Sequence, residues 1–313
     1  MSNKIEMLIS ELIDKTGNEL SLEQVREYYL LRCKHMTSAA TYEFYTWHLN
    51  AIIDFLHRQK VISTSQIANK HLYAFIKNQQ TKGLKNNTIN KRLGTLKQAL
   101  NHCVSNELLN RNPMEAFKSL AKDDVETEIV DKKVIKQLFN YFNTAQTSKL
   151  LLRQKVMILL ILDTGMRRNE LRNLKVSDID LETNNIRLKF TKTNKNRTVF
   201  ISEPTNDAIT DYLSVWDPST YLLEEKGEIT NPNHLQNDLR KLKRKLGLPG
   251  EVNLSFHKLR HSYATYCLEN GASLEFVRKT LGHHNLTITQ KYLHLSTYKL
   301  QEEHMQTSPI NTI

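Results

Sequence analysis

Cysteine is scarce in these 313 residues: Cys33, Cys103 and Cys267 are odd in number and far apart. Neither a disulfide framework nor a zinc ligand set can be built from them, and they read as small buried apolar groups in a reducing compartment. Long hydrophobic runs are also missing. The longest aliphatic run, Val156–Leu162, is closed by Lys155 and Asp163, well short of the roughly 20 apolar residues of a membrane span. Glu6 and Glu11 interrupt the first apolar stretch, which argues against a secretory signal. The nine glycines form no phosphate-cradling loop. These absences predict a cytoplasmic protein with no membrane span, no metal and no nucleotide cofactor.

Acidic side chains are the minority charge. Against 33 Asp and Glu stand 44 Lys and Arg, a formal net charge of +11, and the expected partner is a polyanion. The length is too great for one ordinary core and predicts two domains.

Ile5, Leu8, Ile9 and Leu12 share a helical face and predict a short amphipathic helix over residues 4 to 15. Tyr45, Leu49, Ile52, Ile53 and Leu56 predict a helix from about Ala40 to His57, and Leu72, Phe75 and Ile76 mark another. The clearest stripe is Ile89, Leu93, Leu96, Leu100 and Cys103, with Lys91 and Lys97 off it; Pro113 is expected to end this region. Between Lys70 and Lys118 the bases, among them Lys85, Lys91 and Lys97, far outnumber the acids Glu107 and Glu115. Such a run is a solvated helix face or a surface that tracks phosphates.

The acidic stretch around Asp123, Asp124, Glu126 and Glu128 reads as a linker. KVMILLILDTGMRRNELRNL then begins too apolar for a surface helix and predicts the buried central helix of a second domain, broken at Gly165. Ile186, Leu188 and Phe190 alternate, as do Val199 and Ile201, which predicts a β-hairpin with Lys192 and Lys195 at its tip and one more strand near Ile179. Arg240, Lys241, Lys243, Arg244 and Lys245 follow on a helix that lies along a nucleic-acid backbone or faces water. In Ser255–Leu295, Gly271 and Gly282 are helix stops and Thr287 with Gln290 has capping-box spacing, which predicts three short helices. His257 and Arg260 share a face of the first, His283 follows the second, and Tyr292 lies on the third.

Attack on a phosphodiester needs its nonbridging oxygens neutralised, a nucleophile that loses a proton and a leaving oxygen that gains one. Arg167 and Arg260 could fork hydrogen bonds to a phosphate at any relevant pH. A phenol such as Tyr292 leaves more readily than an alkyl alcohol, so a phosphotyrosine bond stores the energy of the broken link and rejoining needs no ATP. His257 and His283 can bond the phosphate or pass protons near neutrality, and Lys192 could protonate the departing oxygen. Each residue alone has a plain structural explanation; their ordered conjunction points to chemistry.

That conjunction resembles the tyrosine recombinases of the phage integrase family. The resemblance is carried by Thr164, Gly165, Arg167, Glu170 and Leu171, by Lys192, by His257 and Arg260, by Leu281, Gly282 and His283, and by Tyr292 nine positions further on. It implies Tyr292 as nucleophile, Arg167 and Arg260 as phosphate arginines, Lys192 as general acid, His257 and His283 as assisting histidines, and Glu170 as a supporting acid. RTVFI from Arg197 resembles the stretch after the family's hairpin tip and selects Lys192 over Lys195. The chain departs from the pattern at Phe200, often proline, and at Lys258, often aspartate.

The expected architecture is mostly α with a small antiparallel β-sheet. A helical, SAM-like core-binding domain (1–120) and a linker (121–130) precede an α+β catalytic domain (131–313), an Xer-like layout with no room for an arm-binding domain. The resemblance implies a clamp on double-stranded DNA at inverted-repeat core sites, with Lys85, Lys91, Lys97, Arg240, Lys243 and Arg244 as candidate DNA contacts. It further implies a homotetramer coupled through the tail TYKLQEEHMQ, possible accessory DNA-bending or directionality proteins, and association with the nucleoid when bound. A non-cleaving DNA-binding regulator on the same fold is the alternative, and it would show loss of Arg167, Arg260 or Tyr292. A type IB topoisomerase shares the chemistry but not the spacing from LGH to tyrosine or the helical N-terminal half.

Overall fold

The structure is a computed structural model and describes residues 19–121, 123, 128–189 and 196–283. The chain divides after Val125 into two compact units, each with its own hydrophobic core.

Among the described residues the first unit holds four α-helices: α1 (Leu22–Met36), α2 (Ala39–Arg58), α3 (Asn69–Thr81) and α4 (Asn86–Ser105). Helix α1 was not expected from periodicity. It is started by a capping box in which Ser21 N–H donates to Gln24 Oε1 at 2.8 Å and Gln24 N–H to Ser21 Oγ at 3.1 Å. The stripe expected on α4 is buried throughout, and α4 packs against α1 and α2 as well as α3. The helix stops well before Pro113: Asn106 caps it and Glu107 turns left-handed at φ 60°. Residues beyond it run back along α4, held by Asn90, which exchanges two 2.9 Å bonds with the Leu120 backbone.

The stretch expected to link the units is anchored at both ends. Asp123 accepts from Asn87 N–H at 2.9 Å, and the buried Val130 donates its N–H to Ser262 Oγ at 2.8 Å.

The second unit is organised on α6 (Lys149–Thr164), preceded by α5 (Lys132–Thr144). Val156–Ile161 is buried without a break, so α6 presents no solvent face along this run, as its composition requires. Helices α8 (Glu203–Val215), α9 (Pro232–Lys245) and α10 (Phe256–Glu269) pack on it, and α11 (Leu274–Leu281) packs on α10. After α6 come the short α7 (Arg168–Arg172) and a three-stranded antiparallel sheet in the order β1 (Ile179–Asp180), β2 (Asn185–Leu188), β3 (Arg197–Phe200). Ile186 pairs with Val199 and Leu188 with Arg197; Ile186, Leu188 and Val199 are buried while Phe200 is exposed.

Among the described residues no helix is long and apolar enough to cross a membrane. The helix expected over residues 4 to 15, the hairpin tip with Lys192 and Lys195, the Thr287–Gln290 capping box, Tyr292 with its helix, and the tail all lie outside the described residues.

Candidate active site

The site is built at the C-terminal end of α6. Gly165 ends that helix at φ 61°, and a Cβ there would sit 2.4 Å from Tyr263 Cδ1 and 2.6 Å from Leu281 Cδ2, so only glycine lets α10 and α11 approach the turn. The chain then enters α7 with Arg167 at its N-cap.

Glu170 is buried and accepts four hydrogen bonds. Arg167 donates its backbone N–H to Oε2 at 2.7 Å and Nη1 to Oε1 at 3.0 Å. Arg197 grips the same carboxylate with Nη1 and Nη2, both at 2.8 Å. Burial pushes the Glu170 pKa up, but the bonds and charges of Arg197, then of Arg167, outweigh it and leave the pKa below its ordinary value. The carboxylate is therefore ionised at neutral pH.

Ser255 caps α10, whose Phe256 and Leu259 turn inward and carry Arg260 with them. The buried Arg260 guanidinium donates Nη1 to Gly165 O and Nη2 to Leu281 O, the latter at 2.7 Å. Both acceptors are neutral carbonyls, so they orient the guanidinium without cancelling its charge. Arg260 Nη2 also stands 3.1 Å from His283 Nε2. His283 follows the left-handed Gly282 (φ 63°) that closes α11, and Arg167 Nη2 approaches Gly282 O at 3.4 Å.

Burial, then Arg260, Arg167 and Arg197, lower the His283 pKa to about 4. The imidazole is thus neutral at pH 7 and can accept from Arg260 through Nε2, with its proton on Nδ1. His257 is more open to solvent. Partial desolvation, followed by Arg168, Arg260 and Arg167, still lowers its pKa below the ordinary value. Lys258, where the family pattern often has aspartate, pairs with Glu128.

Arg167, Glu170, Arg260 and His283 thus share one hydrogen-bonded cluster, and its arginine charges oppose protonation of His257. Arg197 also belongs to the cluster but was not among the expected site residues. Its signal was present in the sequence: the β alternation of Arg197 with Val199 places it on the buried face of the sheet, where a charge requires a partner.

The candidate DNA contacts divide. Lys85, at the N-cap of α4, and Lys91, in its first half, are exposed, as are Arg240 and Arg244 on α9. Lys97 instead donates to Glu115 O at 2.8 Å and Phe117 O at 3.2 Å, and Lys243 to Gly250 O at 2.7 Å. Arg92, one of the bases in the same run, is buried against the Trp47 ring and bound to Gln79.

Guanidinium charge beside neutral imidazole suits a site that receives an anionic phosphodiester and moves a proton. Residues 128–299 match the Phage integrase family, and residues 21–120 match the Phage integrase SAM-like domain. The chain belongs to the phage integrase family of tyrosine recombinases.

Its relatives include the tyrosine recombinase XerC of Actinobacillus pleuropneumoniae serotype 7, 32% identical over 285 residues that cover 89% of this chain and 90% of that one. XerC of Actinobacillus succinogenes is 27% identical over 292 residues, covering 91% and 97%. Among solved structures, the Tn1549 transposon integrase in complex with transposon right-end DNA shares the fold at TM-score 0.72 and 16% identity, over 92% of this chain and 100% of that one. XerH bound to a palindromic difH substrate does so at TM-score 0.72 and 18% identity, over 95% and 88%.

Proposed function

We propose that this tyrosine-type site-specific DNA recombinase cleaves and rejoins duplex DNA through a 3'-phosphotyrosine on Tyr292, without ATP or metal. The Tyr292 phenol oxygen attacks the scissile phosphorus; its bond to phosphorus forms as the bond to the 5' oxygen breaks. Arg167 and Arg260 neutralise the nonbridging oxygens, and Glu170 holds Arg167 in place. His283 and His257, both with lowered pKa values, bond the phosphate or take the phenol proton, and Lys192 protonates the departing 5' oxygen. The phosphotyrosine keeps the energy of the broken bond, so attack by a 5' hydroxyl reverses the step. The observation that carries this chemistry is the approach of Arg260 to His283 and of Arg167 to the Gly282 carbonyl within one cluster.

DNA is the partner. The first unit acts as the core-binding domain with Lys85 and Lys91 toward phosphates, and the second unit adds Arg240 and Arg244. The relevant sites are inverted repeats, the active assembly is a homotetramer linked through the tail, and DNA-bending or directionality proteins assist it. XerH in complex with a palindromic substrate and the lambda integrase dimer on a core site support DNA as the partner by likeness of fold.

The test is to lyse cells under denaturing conditions, recover covalently attached DNA and sequence it beside a Tyr292→Phe control. Discrete wild-type peaks absent from the control are expected. Occupancy of defined sites with no covalent DNA would instead identify a non-cleaving regulator.

A further inference from the structure

In this cluster the Arg197 guanidinium is bound to other protein groups through Nε, Nη1 and Nη2 together. Its side chain is 10% exposed and grips both oxygens of a carboxylate that is 1% exposed, while the Arg167 side chain remains 32% exposed. Its Nε donates to Thr280 O at 2.7 Å, three residues before His283. Arg197 also opens β3.

A carboxylate has about four lone-pair positions, and all four on Glu170 are filled, two by Arg197 and two by Arg167. The forked pair with Arg197 sets the plane of the carboxylate. Arg167 then contacts it from the side through one Nη and its backbone N–H. Without Arg197, the buried Glu170 would have Arg167 as its sole cationic partner among the described residues, and the attraction would draw that guanidinium inward. Arg197 supplies the counter-charge that leaves Arg167 facing the open side. A Cβ on Gly282 would lie 3.1 Å from Arg197 Nη1, so glycine there admits the guanidinium as well as the left-handed turn.

We propose that Arg197 is a positioning residue for strand cleavage: by occupying Glu170 and the Thr280 carbonyl together, it orients Arg167 and ties β3 to the turn bearing His283. The role rests on the cleavage chemistry proposed above. Arg197 need not touch the DNA to perform it.

The test compares wild type, Arg197→Lys, Glu170→Gln and the double variant, each on a nicked DNA substrate that traps the covalent complex. Lysine keeps the charge but cannot fork to both oxygens. At saturating DNA, Arg197→Lys is expected to lower the cleavage rate roughly tenfold or more, in keeping with the cost of a small misplacement. Its noncovalent DNA affinity is expected to stay within about threefold of wild type, because a positioning defect spares binding. In the Glu170→Gln background the same change should add about twofold or less, because two residues acting as one unit are not additive.

A wild-type cleavage rate in folded Arg197→Lys, or a full additional loss in the double variant, overturns the proposal while leaving the cleavage chemistry intact. If Arg197→Lys does not fold, Arg197→Gln takes its place; failure of both to fold assigns Arg197 to the fold alone and also overturns it. A wild-type protein that forms no covalent complex overturns the cleavage chemistry and this role together.

Discussion

Arg260 and His283 meet at 3.1 Å, Nη2 to Nε2, inside a buried cluster in which the arginine also bonds the carbonyl oxygens of Gly165 and Leu281. An arginine can only donate, so the contact requires an unprotonated Nε2, and the His283 pKa of about 4 agrees with a neutral ring. One guanidinium thereby joins the end of α6, the end of α11 and the histidine after it.

This relationship gives the second unit a pH signature. The folded-state pKa of His283, about 4, lies below the ordinary histidine value, so the unfolded chain binds more protons between about pH 4 and 6.5. Stability should therefore fall as pH drops through that window and be fully present above it. The contribution is on the order of 3 kcal/mol. Urea unfolding read by Trp216 fluorescence in a Trp47→Phe background isolates the second unit. The pH slope over this window should be shallower in His283→Gln; an unchanged slope would assign it to other groups.

Arg260→Lys keeps a cation but cannot span the Gly165 and Leu281 carbonyls. Cleavage at saturating DNA should fall on the order of 100-fold, comparable to loss of one transition-state donor. Trapped covalent complex measured against time gives the rate. A wild-type rate would remove Arg260 from the phosphate.

Gly165→Ala places a Cβ against Tyr263 and Leu281 at a left-handed backbone position. Backbone strain of about 1–2 kcal/mol and overpacking of about 1–3 kcal/mol predict a loss of about 2–5 kcal/mol in the second unit. Urea unfolding with the Trp216 signal measures it, and a loss below about 1 kcal/mol would mean that α10 and α11 can withdraw from the turn.

Lys91 and Lys97 should separate in salt titrations of DNA binding. The exposed Lys91 is expected to lower the log–log salt slope by about 0.9 when changed to alanine. Lys97 already spends its ammonium on the Glu115 and Phe117 carbonyls. Lys97→Ala should leave the slope nearly unchanged and destabilise the first unit by roughly 1 kcal/mol. Equal slope changes would place both on the phosphate backbone.

Several elements were legible because their cause is local. The α4 stripe, the all-apolar run of α6 and the stops at Gly165 and Gly282 each follow from residue spacing or from a positive φ that glycine accepts. The start of α1 was missed because its inward face mixes Leu22, Val25, Tyr28, Tyr29 and Cys33, which gives a weak apolar contrast. Pro113 misled as the end of α4, since the left-handed Glu107 had already turned the chain.

The sequence by itself determined the helical character of both halves, the hairpin, the basic balance and which residue types would serve phosphodiester chemistry, because periodicity and side-chain chemistry are written along the chain. Only the tertiary structure decided how charge is allotted among them. Arg167 and Arg260 look alike in sequence, yet one shares the buried Glu170 with Arg197 and the other rests on neutral carbonyls. Lys91 and Lys97 look alike as well, yet the ammonium of Lys97 is spent on backbone carbonyls. Electrostatic partnership depends on distances of a few ångströms between groups remote in sequence, and folding alone sets those distances.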